Sequence, residues 1–187
     1  MPDINTLHVA VIATDGVEED EIVKPIEALK QAGARVKILS LKPGRFQAFQ
    51  HYDKGITLKA DASVEDSHPD DFDALLLPGG ALNADALRTD PAVKKFVKAF
   101  DDEKKPIAFI CHAPWVLVSA GIVKGRTLTC YHTIADDIRN AGGHYVDHEV
   151  ACDFNWVSSR QPSDIPAFSR EMLHTFSQLA QPQPANR

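Results

Sequence analysis

The chain has 187 residues, of which 44% are apolar and 25% charged. This length suits one globular domain able to bury about 70% of its extended surface, so no disulfide or metal staple is needed. Twenty Lys+Arg against 26 Asp+Glu leave a formal charge of −6, which offers no electrostatic footprint for nucleic acid or an anionic membrane.

The elements follow in chain order. Residues 1–6 carry no basic segment and no apolar run, unlike a secretory leader. Leu7–Ala13 is a continuous apolar run, as expected of a strand buried on both faces. It ends in Thr14-Asp15-Gly16. Ile22, Ile26 and Leu29 then fall on one helix face, and Gly33 stands where a C-terminal cap belongs. Arg35–Leu41 reads as a second strand. Ala74–Leu77 is a third, ending in Pro78-Gly79-Gly80. Pro91 opens a helix with Val93, Phe96, Val97 and Phe100 on one stripe. Ile107–Ile110 is another buried strand. It runs into Cys111-His112-Ala113-Pro114 and a helix over 114–120. His144 to Glu149 reads as a strand. Ser163 stands as an N-cap, followed by Ile165, Phe168, Met172, Phe176 and Leu179 at helical spacing. The polar, proline-interrupted tail 181–187 is expected to fray. No apolar run approaches the roughly 20 residues of a membrane span, so a cytoplasmic protein is expected. Strand–helix alternation with buried strands implies an α/β fold, a mostly parallel sheet with helices on both faces. Ligands of such folds bind beyond the carboxyl ends of the strands, where all three loops lie.

The cysteines, at 111, 130 and 152, are odd in number and form no C-x-x-C. That argues against a disulfide framework or zinc ribbon and for a reducing compartment. Cys111 sits at a strand-to-helix turn, where a sharp elbow strains the backbone and lifts the side chain above the sheet. The adjacent helix N-terminus should favour the thiolate. The plain alternative is a small buried apolar residue. The His112 N–H would face an oxyanion formed at Cys111; alternatively the residue simply packs locally. Gly79 and Gly80 offer unhindered N–H groups at the same edge, or form an ordinary tight turn. Glu18, Glu19, Asp20 and Glu21 open the first helix, where acids complement the dipole. Glu18 and Glu21 share a face, and one turned inward would have a raised pKa and could hydrogen-bond Cys111. His144, His148 and Glu149 are weak candidates for metal ligands, and no metal or other cofactor is expected. Cys130 and Cys152 lack an elbow and read as inert.

Glu-Glu-Asp-Glu at 18–21, Leu-Pro-Gly-Gly at 77–80, Ile-Cys-His-Ala-Pro at 110–114 and Asn-Trp-Val-Ser-Ser-Arg at 155–160 together resemble the PfpI-type branch of the DJ-1/PfpI family. That family lies within the class I glutamine-amidotransferase-like superfamily. The likeness runs from about residue 7 to 179. It implies a flavodoxin-like three-layer sandwich in one domain spanning 1–187. By the resemblance, Cys111 matches the oxidisable elbow nucleophile and His112 the histidine after it. Glu21 matches the glutamate that bonds the cysteine, and Glu18 a second acid at the site. Tyr131 matches a site-lining tyrosine, and Gly79, Gly80 and the His112 backbone the oxyanion hole. In PfpI-type proteins an acid after the Gly-Gly reaches a neighbouring subunit's histidine. Asp85 is the nearest match here, one position late and shorter than glutamate. Trp115 adds bulk that narrows the pocket, and His132 replaces a frequent proline and could move protons.

Two function classes follow. One is an enzyme in which Cys111 attacks a carbonyl: a glyoxalase, a deglycase or a PfpI-like cysteine hydrolase, acting on a small aldehyde or a glycated adduct. The other is a redox-sensing or chaperone-like stress protein whose Cys111 is oxidised without rapid turnover. Relatives of this type imply a homodimer or larger homo-oligomer. A glutaminase is disfavoured, because neither His148 nor His174 has an acid two positions on.

Overall fold

The computed structural model describes residues 4–179, without the side chain of Leu179; the tail 181–187 and the place of Leu179 on its helix face lie outside the described residues. Among the described residues twelve strands are formed: β1 His8–Ile12, β2 Val17–Glu18, β3 Arg35–Ser40, β4 Gly44–Gln50, β5 Asp53–Ala60, β6 Ala62–Ser63, β7 Ala74–Leu77, β8 Ile107–Ile110, β9 Thr127–Leu128, β10 His144–Tyr145, β11 Val150–Asp153 and β12 Trp156–Ser159. The helices are α1 Glu19–Gln31, α2 Ala81–Thr89, α3 Pro91–Asp102, α4 Pro114–Ala120, α5 Ala135–Asn140 and α6 Ile165–Leu179.

Seven strands make the central sheet in the order β11-β12-β8-β7-β1-β3-β6, parallel except at β11. The continuous apolar runs become its middle, with every residue of β7 and β8 buried. Side chains alternate between two cores. On one face, Val9, Val11, Leu76, Ala108 and Ile110 meet Ile22 and Leu29 of α1 and Phe168, Met172 and Phe176 of α6. On the other, Ala10, Ile12, Leu75 and Phe109 meet Leu87 of α2, Phe96 and Phe100 of α3, Leu117 of α4 and Ile138 of α5. This is the three-layer α/β architecture expected from the sequence. No helix among the described residues is long and apolar enough to cross a membrane.

Several details differ from the sequence reading. Residues 44–60, to which the sequence reading assigns no element, hold β4 and β5, an antiparallel hairpin beside β2. The segment 144–149 holds only the two-residue strand β10, too short to align His144 and His148. Ser163 does not cap α6. It lies in a 3-10 turn, and its hydroxyl donates to Asp164 at 3.3 Å. Pro25 sits inside α1 and is buried.

Away from the loops, Arg126 ties the chain together. Its guanidinium lies 3.7 Å from the Trp156 ring centroid and donates to Asp101 at 2.9 Å and Asp153 at 3.1 Å. Asp101 Oδ1 also accepts from Trp156 Nε1 at 2.9 Å. The Trp156 ring packs edge-on to Phe109, so this knot braces β8 just before the cysteine elbow.

Candidate active site

The loops after β1, β7 and β8 meet at one edge of the sheet. Cys111 is the first residue past β8, and its φ is 63°, a left-handed conformation that non-glycine residues seldom adopt. Backbone bonds hold it there. Cys111 N–H donates to the Ser159 carbonyl at 3.1 Å, and the Cys111 carbonyl accepts from Tyr131 N–H at 2.9 Å. The residue is 7% exposed.

The acidic run at 18–21 divides its labour. Asp20 pairs with Lys24 at 2.7 Å. Glu19 docks the hairpin, accepting from Ile56 N–H at 2.7 Å and Gln50 Nε2 at 2.9 Å. Glu18 accepts from His51 N–H at 3.1 Å at the hairpin tip. Glu21 alone turns inward, fully buried, and its carboxyl lies beside the Cys111 thiol. Its Oε2 accepts from Gly79 N–H at 3.0 Å, while Oε1 is enclosed without a hydrogen bond. Burial, and then the Glu18 charge, push the Glu21 pKa up to about 8. Burial also raises Glu18, against the pull of His51.

Two expectations are corrected here. The helix N-terminus was expected to lower the thiol pKa. Burial and the neighbouring Glu21 carboxylate instead push Cys111 upward, and the Gly80 and His112 N–H groups oppose them without prevailing. Gly79 was expected to lend its N–H to an oxyanion hole, but Glu21 occupies that N–H. Gly80 and His112 are the donors that face the sulfur. Gly79 is required for another reason: a Cβ there would come within 2.5 Å of Cys111 Cβ and 2.8 Å of the Ile110 carbonyl, and would also strike Glu21.

His112 Nδ1 lies 3.2 Å from Cys111 Sγ. The imidazole stacks on Tyr131 with centroids 5.0 Å apart, and Trp115 meets it edge-on at 5.3 Å. Trp115 is held in turn by Asp137, which accepts from its indole N–H at 3.2 Å, and by Arg88, 5.1 Å from its ring. The Tyr131 and His132 rings are tilted against each other with centroids 4.6 Å apart. Burial, and then His132, lower the His112 pKa.

Glu21, His112, Gly79 and Gly80 thus gather at Cys111, Tyr131 and Trp115 flank His112, and His132 stands behind Tyr131. Glu18 stands behind Glu21. Asp85 is exposed on α2 and makes no hydrogen bond or ion pair among the described residues. No cluster of three metal-ligating side chains exists among the described residues, and His144 and His148 are exposed. Cys130 is fully buried, with its thiol pushed by burial up to about 12, and Cys152 is exposed on β11.

Two supporting residues escape sequence reasoning. Asn83 is fully buried. It accepts from Thr14 N–H at 2.8 Å and donates to the Pro78 and Gly79 carbonyls at 3.1 and 3.0 Å, so it ties two of the loops together. Its one sequence signal is a polar residue on the buried face of a helix just past a Gly-Gly. Thr133 Oγ1 lies 3.4 Å from His112 Nε2.

A family model described as the DJ-1/PfpI family matches residues 7–175. The chain is 40% identical over 167 residues to Deglycase TK1284 of Thermococcus kodakarensis, covering 89% of this chain and 98% of that protein. It is 41% identical over 166 residues to General stress protein 18 of Bacillus subtilis, with coverages of 88% and 95%. Among solved structures, it is similar to a two-domain protein from Anabaena variabilis with DJ-1/ThiJ/PfpI-like and ferritin-like domains. The TM-score is 0.87 at 29% identity, covering 97% of this chain and 52% of that one.

Proposed function

The chain belongs to the DJ-1/PfpI family, and from that membership we propose that it is a single-domain stress enzyme whose Cys111 attacks small aldehydes or glycated adducts. The observation that carries this reading is the sulfur's setting. Cys111 is strained at φ 63°, a buried Glu21 carboxyl lies against it, and two backbone N–H groups face it.

The proton bookkeeping favours Glu21 as base. Its pKa of about 8 exceeds that of His112, which burial and His132 depress. As the sulfur bonds to the carbonyl carbon, the thiol proton passes to the Glu21 carboxylate. The carbonyl oxygen becomes an alkoxide held by the Gly80 and His112 N–H groups. It then takes the proton from Glu21, leaving a neutral thiohemiacetal and restoring the carboxylate. His112, wedged between Tyr131 and Trp115, supports the sulfur as a neutral hydrogen-bond partner. The aromatic walls favour a small substrate over a peptide. The name of the Thermococcus relative supports glycated adducts as the substrate class. The proposed setting is cytoplasmic, in a homo-oligomer.

The test is turnover of methylglyoxal and of a glycated amine. Cys111→Ala should abolish it and Cys130→Ala should keep it; full activity in both variants would end the proposal.

A further inference from the structure

The ring of His112 has a partner at each nitrogen. Nδ1 faces Cys111 Sγ at 3.2 Å, and Nε2 faces Thr133 Oγ1 at 3.4 Å. Tyr131 stacks on the ring at 5.0 Å and Trp115 meets it edge-on at 5.3 Å, so the imidazole is packed in its orientation. Thr133 reaches this place because its 3-10 turn, His132–Ile134, is anchored to the elbow itself through the Tyr131 N–H to Cys111 carbonyl bond.

A neutral imidazole carries one proton, and whichever nitrogen holds it decides what the other can do. A proton on Nδ1 makes His112 a donor to the sulfur; a proton on Nε2 makes it an acceptor there. With Glu21 serving as base, a donor is the complementary role. A threonine hydroxyl both donates and accepts; when it donates to Nε2 it holds the ring proton at Nδ1, the form that makes His112 the donor the sulfur needs.

We infer that Thr133 is a positioning residue whose hydroxyl donates to His112 Nε2, fixing the tautomer that points an N–H at the Cys111 sulfur. The chain thus carries its own orienting group for His112, independent of any acid supplied by a neighbouring subunit. This rests on Cys111 being the reacting thiol, but the tautomer itself is observable without substrate.

Nitrogen-15 correlation spectra of histidine-labelled full-length protein read the tautomer directly, with His112→Gln identifying the ring's signals. The wild type should show the proton on Nδ1. Thr133→Val should shift it wholly or partly to Nε2 and slow alkylation of Cys111 by iodoacetamide about tenfold, the value of one hydrogen bond to a charged group. Thr133→Ser should restore both. Thr133 is exposed, so the variants should melt with the wild type. A wild-type proton on Nε2, or an unchanged spectrum in Thr133→Val, overturns the inference. So does a switch produced by Asp85→Asn, which would assign the role to an intersubunit carboxylate. If Cys111→Ala keeps turnover while the tautomer responds as stated, the chemistry is wrong and the positioning stands.

Discussion

Replacing Glu21 by glutamine tests the electrostatic core of the site. Glutamine keeps the shape and the acceptor for Gly79 N–H but cannot ionise. The wild-type carboxyl has a pKa of about 8 in the fold against an ordinary value of 4.5. The folded state therefore holds its proton more tightly than the unfolded chain does. Stability from this group is complete below about pH 4.5 and is lost as pH rises towards 8. The displacement of about 3.5 units, at about 1.36 kcal/mol each, amounts to about 5 kcal/mol once pH exceeds 8, and to about 3 kcal/mol at pH 7. Glu21→Gln never incurs this loss. Urea unfolding of both proteins at equal concentration from about pH 4 to pH 9 should show equal stability at the acid end. The glutamine variant should pull ahead steadily above about pH 5, while losing carbonyl turnover. A stability difference that stays flat across that range would refute the reasoning, because it would mean that burial does not govern the protonation of Glu21.

Other consequences are separately measurable. If the Glu21 carboxylate is the base, kcat/KM should rise with pH through about 8 and level off above it; a profile falling over that range contradicts the role. Gly79→Ala should push Glu21 and Cys111 apart, lowering kcat about a hundredfold for a displacement near one ångström, with a crystal structure of the variant as the check. Arg126→Leu leaves Asp101 buried without its cation and should cost about 3–5 kcal/mol in denaturation experiments. Under mild peroxide, peptide mass spectrometry should find one or two oxygens added at Cys111 before Cys130; the reverse order would count against Cys111 as the reactive thiol.

The sheet was legible because strands covered on both faces must be apolar throughout, and Ala74–Leu77 and Ile107–Ile110 are. The elbow was legible because a cysteine between such a strand and Pro114 leaves no room for a gentler turn. The hairpin was not, since β5 is largely exposed and its Ile56, Leu58 and Ala60 alternate faintly among charged residues. Nor was the direction of the thiol shift. A helix terminus can be read from sequence, whereas the depth of burial of Cys111 and Glu21 depends on elements distant in the chain. The engagement of Gly79 N–H by Glu21 likewise spans 58 residues, and no local pattern announces it.

Pro25 inside α1 has a mechanical consequence. Lacking an N–H, it cannot bond the carbonyl four residues earlier, which belongs to Glu21. The helix ladder is therefore interrupted at the residue that serves the thiol. The turn that carries Glu21 is thus tied to the rest of α1 by one backbone hydrogen bond fewer than an uninterrupted helix would have.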